Sequence, residues 1–206
     1  MILLSLSLGL SILLLALEGM AMLFLVPHFH SVCCSSALIP VWKVGMPVVA
    51  TTMMIIKIYG FSHTYLSGTG VADCCDILLM PFLGRAQWQP SKYASPFRHE
   101  TEMAWAGYYT VTLEKHHIRA ELSAPAVAEC TAIHSTDTVR PPRLLLDLHH
   151  YDKVLDSYVT LLSDTEVVGF RRSSFWNPDQ QVYFCMRFSS PFQSVEAMNH
   201  NKPACR

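Results

Sequence analysis

GYYTVTLEKHHIRAELSA, residues 107–124, alternates apolar and polar side chains twice. Tyr109, Val111 and Leu113 share one face, and Ile118, Ala120 and Leu122 share another. A period of two is what a strand produces and a helix does not. Glu114 to His117 form the connection, so the stretch predicts a β-hairpin.

The same signal recurs on both sides of it. RLLLDL (Arg143–Leu148) predicts a buried strand, and SYVTLL and EVVGFRRSS follow, separated by Ser163-Asp164-Thr165. QVYFCMRFSSPF sets Val182, Phe184, Met186 and Phe188 on one side and Tyr183, Cys185 and Arg187 on the other. GRAQWQPSKYASPFRHE, rich in polar residues and proline, reads as a long loop. No helical periodicity competes from Ile58 onward. The expected fold class is all-β, an antiparallel β-sandwich.

The first 56 residues are different. They hold two charged side chains, Glu18 and Lys43, while residues 57–206 hold the other 29. Residues 2–17, ILLSLSLGLSILLLAL, are an apolar run of signal-peptide length without the basic flank, and short of the roughly 20 residues that span a bilayer. They are expected to be an irregular or helical apolar segment, a leader over residues 1–18 that directs the chain to the secretory pathway or periplasm. A membrane anchor is the alternative, with membrane contact only if residues 2–17 stay uncleaved. The whole chain carries a net charge of −1, which gives no electrostatic reason for a nucleic-acid partner.

Seven cysteines contain no C-x-x-C pair and read as buried free thiols. His28 and His30 share one strand face but lack a carboxylate or cysteine at matching spacing, which makes a poor metal site. The doublets His116-His117 and His149-His150 read as solvent-exposed turn histidines.

YGFSHTYLSGTGVADCCDILLMP (Tyr59–Pro81) resembles the signature of the N-terminal domain of glycoside hydrolase family 92, the calcium-dependent α-mannosidases, whose members carry a phrase close to G-F-S-H-T-H-L-S-G-T-G and then D-[IV]-L-L-M-P. YASPFRHETEMAWAGYYTVTL, IRAELSA and FWNPDQQVYFCMRFSSPF resemble further phrases of that family, in the same order. The resemblance implies a two-domain enzyme that removes terminal α-mannose from N-glycans with inversion. A β-sandwich forms its first half, and an (α/α) barrel supplies the acid and base carboxylates and holds most of the calcium. This chain stops at Arg206. It is therefore expected to lack the barrel, to carry no catalytic residue, to bind no metal by itself and to be inactive alone. A non-catalytic carbohydrate-binding module and a small membrane-tethered protein are the alternatives.

His63 with Ser67, Gly68, Thr69 and Gly70 is the best binding candidate. A small-residue loop lets backbone amides approach a sugar hydroxyl, and a neutral imidazole can donate or accept. A tight turn between strands would use the same residues, and the family's second histidine in this phrase is Tyr65 here. Trp176 offers a flat apolar face either to a sugar ring or to the space between the two sheets, where packing is the commoner use, and Asp179 follows it in the W-x-x-D-Q phrase. Asp73 and Asp76 read as turn caps.

The family's upstream phrases are missing as written. Read one nucleotide earlier, however, Met20-Ala21-Met22-Leu23 permits His-Gly-His-Ala, FLVPHFHS (24–31) permits Phe-Pro-Gly-Ala-Thr-Phe-Pro-Phe, and Lys43 to Met46 permit Glu-Gly-Trp-Asp. Residues 19–57 are thus expected to be an out-of-frame reading of the sugar-facing segment, with a second slip at 124–139. The domain from 58 to 206 keeps its frame elsewhere. The genomic sequence of both segments tests this: codons that do not spell those residues dispose of it.

Overall fold

The computed structural model describes residues 1–5, 10–18, 57–62, 76–85, 87–105, 108–123, 129–137, 139–140, 142–150, 152–175, 177–199 and 202–203. Two antiparallel sheets hold most of them. The six-stranded sheet runs β16 (Lys202–Pro203), β15 (Ser194–Asn199), β1 (Ile2–Ser5), β11 (Pro142–Asp147), β5 (Leu78–Leu83), β4 (Phe61–Ser62). The eight-stranded sheet runs β12 (Lys153–Leu161), β13 (Glu166–Ser174), β14 (Gln180–Phe188), β2 (Leu10–Glu18), β10 (Glu129–Ser135), β9 (Ile118–Ser123), β8 (Tyr108–Leu113), β7 (Met103–Trp105). A short ladder of β3 (Lys57–Ile58) and β6 (Ser95–Pro96) completes the set. Both large sheets contribute to one hydrophobic core, with Leu79, Met80 and Leu145 from the first and Val111, Ile118, Val182 and Met186 from the second. The predicted all-β sandwich is the observed architecture.

The hairpin forms as its alternation requires. Tyr109 stands opposite Leu122, Val111 opposite Ala120 and Leu113 opposite Ile118. The two apolar rows are therefore one buried face, because directly opposed residues in an antiparallel pair point the same way. β14 repeats the lesson, with Val182, Phe184, Met186 and Phe188 buried and Tyr183, Cys185 and Arg187 exposed. Cys185 is consequently a free thiol at the surface, not a buried one. Gly169 interrupts β13 for a steric reason. A Cβ there would stand 2.4 Å from the Phe184 ring and 2.7 Å from the Tyr158 carbonyl oxygen, so only glycine lets that ring lie across the strand.

The N-terminal segment departs from expectation. Ile2–Ser5 and Leu10–Glu18 are neither irregular nor helical but strands, one in each sheet. β1 lies between β11 and β15, and β2 between β14 and β10. An unbroken apolar run is compatible with either a buried helix or a central strand, and its period does not separate them. Pairing on both sides decides for the strand.

The stretch expected as a long loop contains a one-turn helix, Pro90–Tyr93, and the strand β6. Tyr93 is fully buried, and its carbonyl oxygen lies 2.7 Å from His116 Nε2. That contact corrects the reading of the histidine doublet. His117 is exposed and takes the left-handed conformation that closes the hairpin (φ 51°), whereas His116 points inward and is 4 % exposed. Burial pulls the His116 pKa down to about 4. The folded state therefore binds this proton less readily than the unfolded chain, whose histidine titrates near 6.5. The stabilisation is complete above about 6.5 and is lost as pH falls towards about 4. Urea titrations are expected to show about 3 kcal/mol of this dependence, and His116→Gln, which keeps a donor but cannot ionise, to remove most of it. Equal pH slopes for the two proteins would refute the assignment.

Candidate functional site

Four strands end or begin together at one end of the sandwich. β4 stops at Ser62, β5 starts just after Asp76, β11 stops at Asp147, and β13 reaches Ser174 before the turn into β14. Register fixes this convergence, since Leu78 is opposite both Ser62 and Asp147.

A buried polar network ties these ends across the two sheets. Arg171 lies on the inward face of β13, in the same alternating row as Val167 and Gly169, and is completely buried. Its Nε donates to the Leu148 carbonyl at 2.7 Å. Its Nη1 donates to the Asp76 carboxylate and, at 2.9 Å, to Ser173 Oγ. Ser173 Oγ donates in turn to Asp76 Oδ1 at 3.2 Å. Asp76 is also completely buried, so it is an ion-pair partner within the core, not the turn cap expected from sequence. A guanidinium and a carboxylate buried this deeply each need the other as a hydrogen-bonding partner.

Asp147 adds a second buried carboxylate to this end. Burial pushes its pKa up, against the pull of the His149 backbone N–H, which donates to Oδ1 at 2.8 Å, and of the nearby Arg171 charge. Burial also raises the Tyr93 hydroxyl, helped by the Asp147 charge beside it. His149 is exposed, with Nε2 3.1 Å from Ser157 Oγ; His150 is half-buried, with Nδ1 3.2 Å from the Asp147 carbonyl.

His63, Ser67, Gly68, Thr69, Gly70 and Trp176 lie outside the described residues. Ser62 and Asp76 are the described residues that bracket the first group. Asp179 is described, and a bidentate pair with Arg172 holds it, Nε to Oδ1 at 2.6 Å and Nη2 to Oδ2 at 3.1 Å. That bond lowers the Asp179 pKa below the usual carboxylate range. Gln181 Nε2 donates to the same Oδ2 at 3.4 Å, and Asn177 Oδ1 accepts the Asp179 backbone N–H at 3.2 Å.

The Glycosyl hydrolase family 92 N-terminal domain matches this chain over residues 54–205. The chain belongs to that family. Two solved structures of the family GH92 α-mannosidase BT3965 from Bacteroides thetaiotaomicron, one of them in complex with mannoimidazole, are similar to this family 92 domain. Both are 25 % identical to the chain and match over 72 % of its 206 residues, with TM-scores of 0.65 for the complex and 0.66 for the other. The domain spans about a fifth of those chains, 20 % and 21 %. Among curated proteins none matches.

Sequence reasoning missed the Arg171–Asp76–Ser173 network, although one signal was present. EVVGFRRSS places two consecutive arginines on a strand, so one of them must face the core, and a core arginine needs a buried acid. Asp76 is the acid that opens the D-I-L-L-M-P phrase.

Proposed function

We propose that this chain is the β-sandwich module of an α-mannosidase-like glycoside hydrolase acting on mannose-containing N-glycans. The observation that carries the reading is the family match across residues 54–205, joined to the likeness to an α-mannosidase solved with mannoimidazole. In this reading the connection between Ser62 and Asp76 meets the sugar. His63 donates to or accepts from a hydroxyl, and Ser67, Gly68, Thr69 and Gly70 allow close backbone approach. Trp176 stacks on an apolar sugar face, and Asp179, already fixed by Arg172, accepts from a hydroxyl with its remaining lone pairs.

Inversion needs an acid and a base about 6.5–9.5 Å apart across the scissile bond. The two buried carboxylates among the described residues do not suit that work. Arg171 neutralises Asp76, and Asp147 is sealed in the core. Among the described residues no three His, Cys, Asp or Glu side chains converge, and the family resemblance assigns calcium mainly to the barrel. The proposal therefore assigns recognition to this chain and assigns hydrolysis and calcium to other parts of a complete enzyme.

Calorimetric titration with methyl α-mannoside is expected to saturate, with His63→Ala weakening binding about tenfold, the cost of one good hydrogen bond. No mannose is expected to be released from an aryl α-mannoside, with or without added calcium. Absence of binding would remove the recognition role, and mannose release by the chain alone would overturn the division of labour.

A further inference from the structure

β12 closes the eight-stranded sheet and, among the described residues, is bonded to a strand on one side only. It is nine residues long, against three for β7 at the opposite end. A long open edge offers a row of unpaired N–H and C=O groups, which proteins usually blunt with bulges, prolines or charges. Here the bulge falls between Val154 and Asp156, at the start of the strand. From Asp156 to Leu161 the strand is regular, contains no proline and has a single charge.

A row of aromatic rings on the outward face runs out at this edge. Tyr183 stands opposite Phe170, and Phe170 opposite Tyr158. Their ring centroids are 4.7 and 5.6 Å apart, with planes inclined by 38° and 30°. Neighbouring rings are thus in tilted contact along the row, which suits its continuation by a further ring. Tyr158, the last ring, is 52 % exposed.

We propose that the β12 edge pairs antiparallel with the β12 edge of a second copy, about a two-fold axis through Tyr158. Directly opposed residues must share a face, so the axis passes through a residue and not between two. At Tyr158 it sets Tyr158 against Tyr158, Asp156 against Thr160 and Ser157 against Val159. The aromatic row then continues through three rings of each copy, and each Thr160 hydroxyl faces an Asp156 carboxylate. The neighbouring registers are worse. An axis at Asp156 opposes like charges, and one at Ser157 brings Val159 against the bulge. One at Val159 sets Tyr158 against Thr160 and breaks the row, and one at Thr160 runs past Leu161, where the strand ends.

Sedimentation of the full chain is expected to show a reversible dimer, twice 23.2 kDa. Tyr158→Lys brings two cations face to face and is expected to raise the dissociation constant about tenfold or more. Thr160→Lys faces Asp156 of the other copy and is expected to lower it. Photo-oxidation is expected to join the copies through Tyr158, and Tyr158→Phe to keep the dimer while losing that link. Both lysine sites are exposed, and unchanged melting would show that the variants fold. A chain that stays monomeric refutes the proposal, as do two lysine variants that change association in the same direction.

Discussion

Removing residues 1–18 is expected to abolish cooperative unfolding. The apolar run ILLSLSLGLSILLLAL has the composition of a leader, and a leader is dispensable to the folded domain. In this structure the run supplies a central strand to each sheet. β2 makes five register pairs with β10 and seven with β14. Without it the eight-stranded sheet separates into β12–β13–β14 and β10–β9–β8–β7, each with a new open edge. At about 1 kcal/mol net per backbone hydrogen bond, these ladders rival the whole net stability of a domain, about 5–15 kcal/mol. The expected result is a truncated protein with a weakened β-sheet circular dichroism signal and no sharp denaturant transition. A second variant separates loss of the strand from loss of apolar mass. Leu14→Pro keeps the segment but removes a ladder donor where Leu14 pairs with both Glu129 and Met186, a position central strands do not give to proline. If the truncated chain melts as sharply as the full one, residues 1–18 are not part of the sandwich.

The strands that sequence announced best are those with one face in the core and one in water. Val182-Tyr183-Phe184-Cys185-Met186-Arg187 alternates because β14 is buried on a single side, and so do both arms of the 108–123 hairpin. β5 gave no such signal, since every residue of LLMPFL is buried, and the first strands gave none because an unbroken apolar run carries no period. Turn chemistry was legible at Glu114–His117, but nothing local distinguishes a histidine facing solvent from one facing a carbonyl 23 residues earlier in the chain, so His116 was misread. The candidate site divides in the same way. Family phrases named His63, Ser67 to Gly70, Trp176 and Asp179. The pairing of Asp76 with Arg171 spans 95 residues and becomes visible only once the two sheets are stacked.

That pair carries the second large effect. Arg171→Leu is expected to destabilise the domain by about 3–5 kcal/mol, because it strands a completely buried carboxylate. Asp76 would lose the Nη1 donor, and the Leu148 carbonyl would lose the Arg171 Nε donor as well. The variant should also acquire a distinctive pH dependence. An unpaired buried carboxylate prefers its neutral form, so its folded pKa rises above the unfolded value of about 3.9. The folded state then binds the proton more tightly, and the deficit shrinks as pH falls and grows as pH rises through the new folded pKa. His116 pulls the other way over part of that range, so Arg171→Leu is best compared at each pH with an otherwise wild-type chain. Urea unfolding of a double-mutant cycle with Asp76→Leu completes the test. Replacing both charges by apolar groups removes the stranded ion, and the double variant is expected to be more stable than Arg171→Leu alone. The two single changes would simply add if Arg171 acted only by filling space. In the proposed reading the coupling bears on recognition as well as stability, because Ser62 and Asp76 bracket the segment that holds His63 and Ser67 to Gly70. A variant pair that restores the melting transition but not methyl α-mannoside binding would show the ion pair to be a positioning device for that connection, beyond its part in the core.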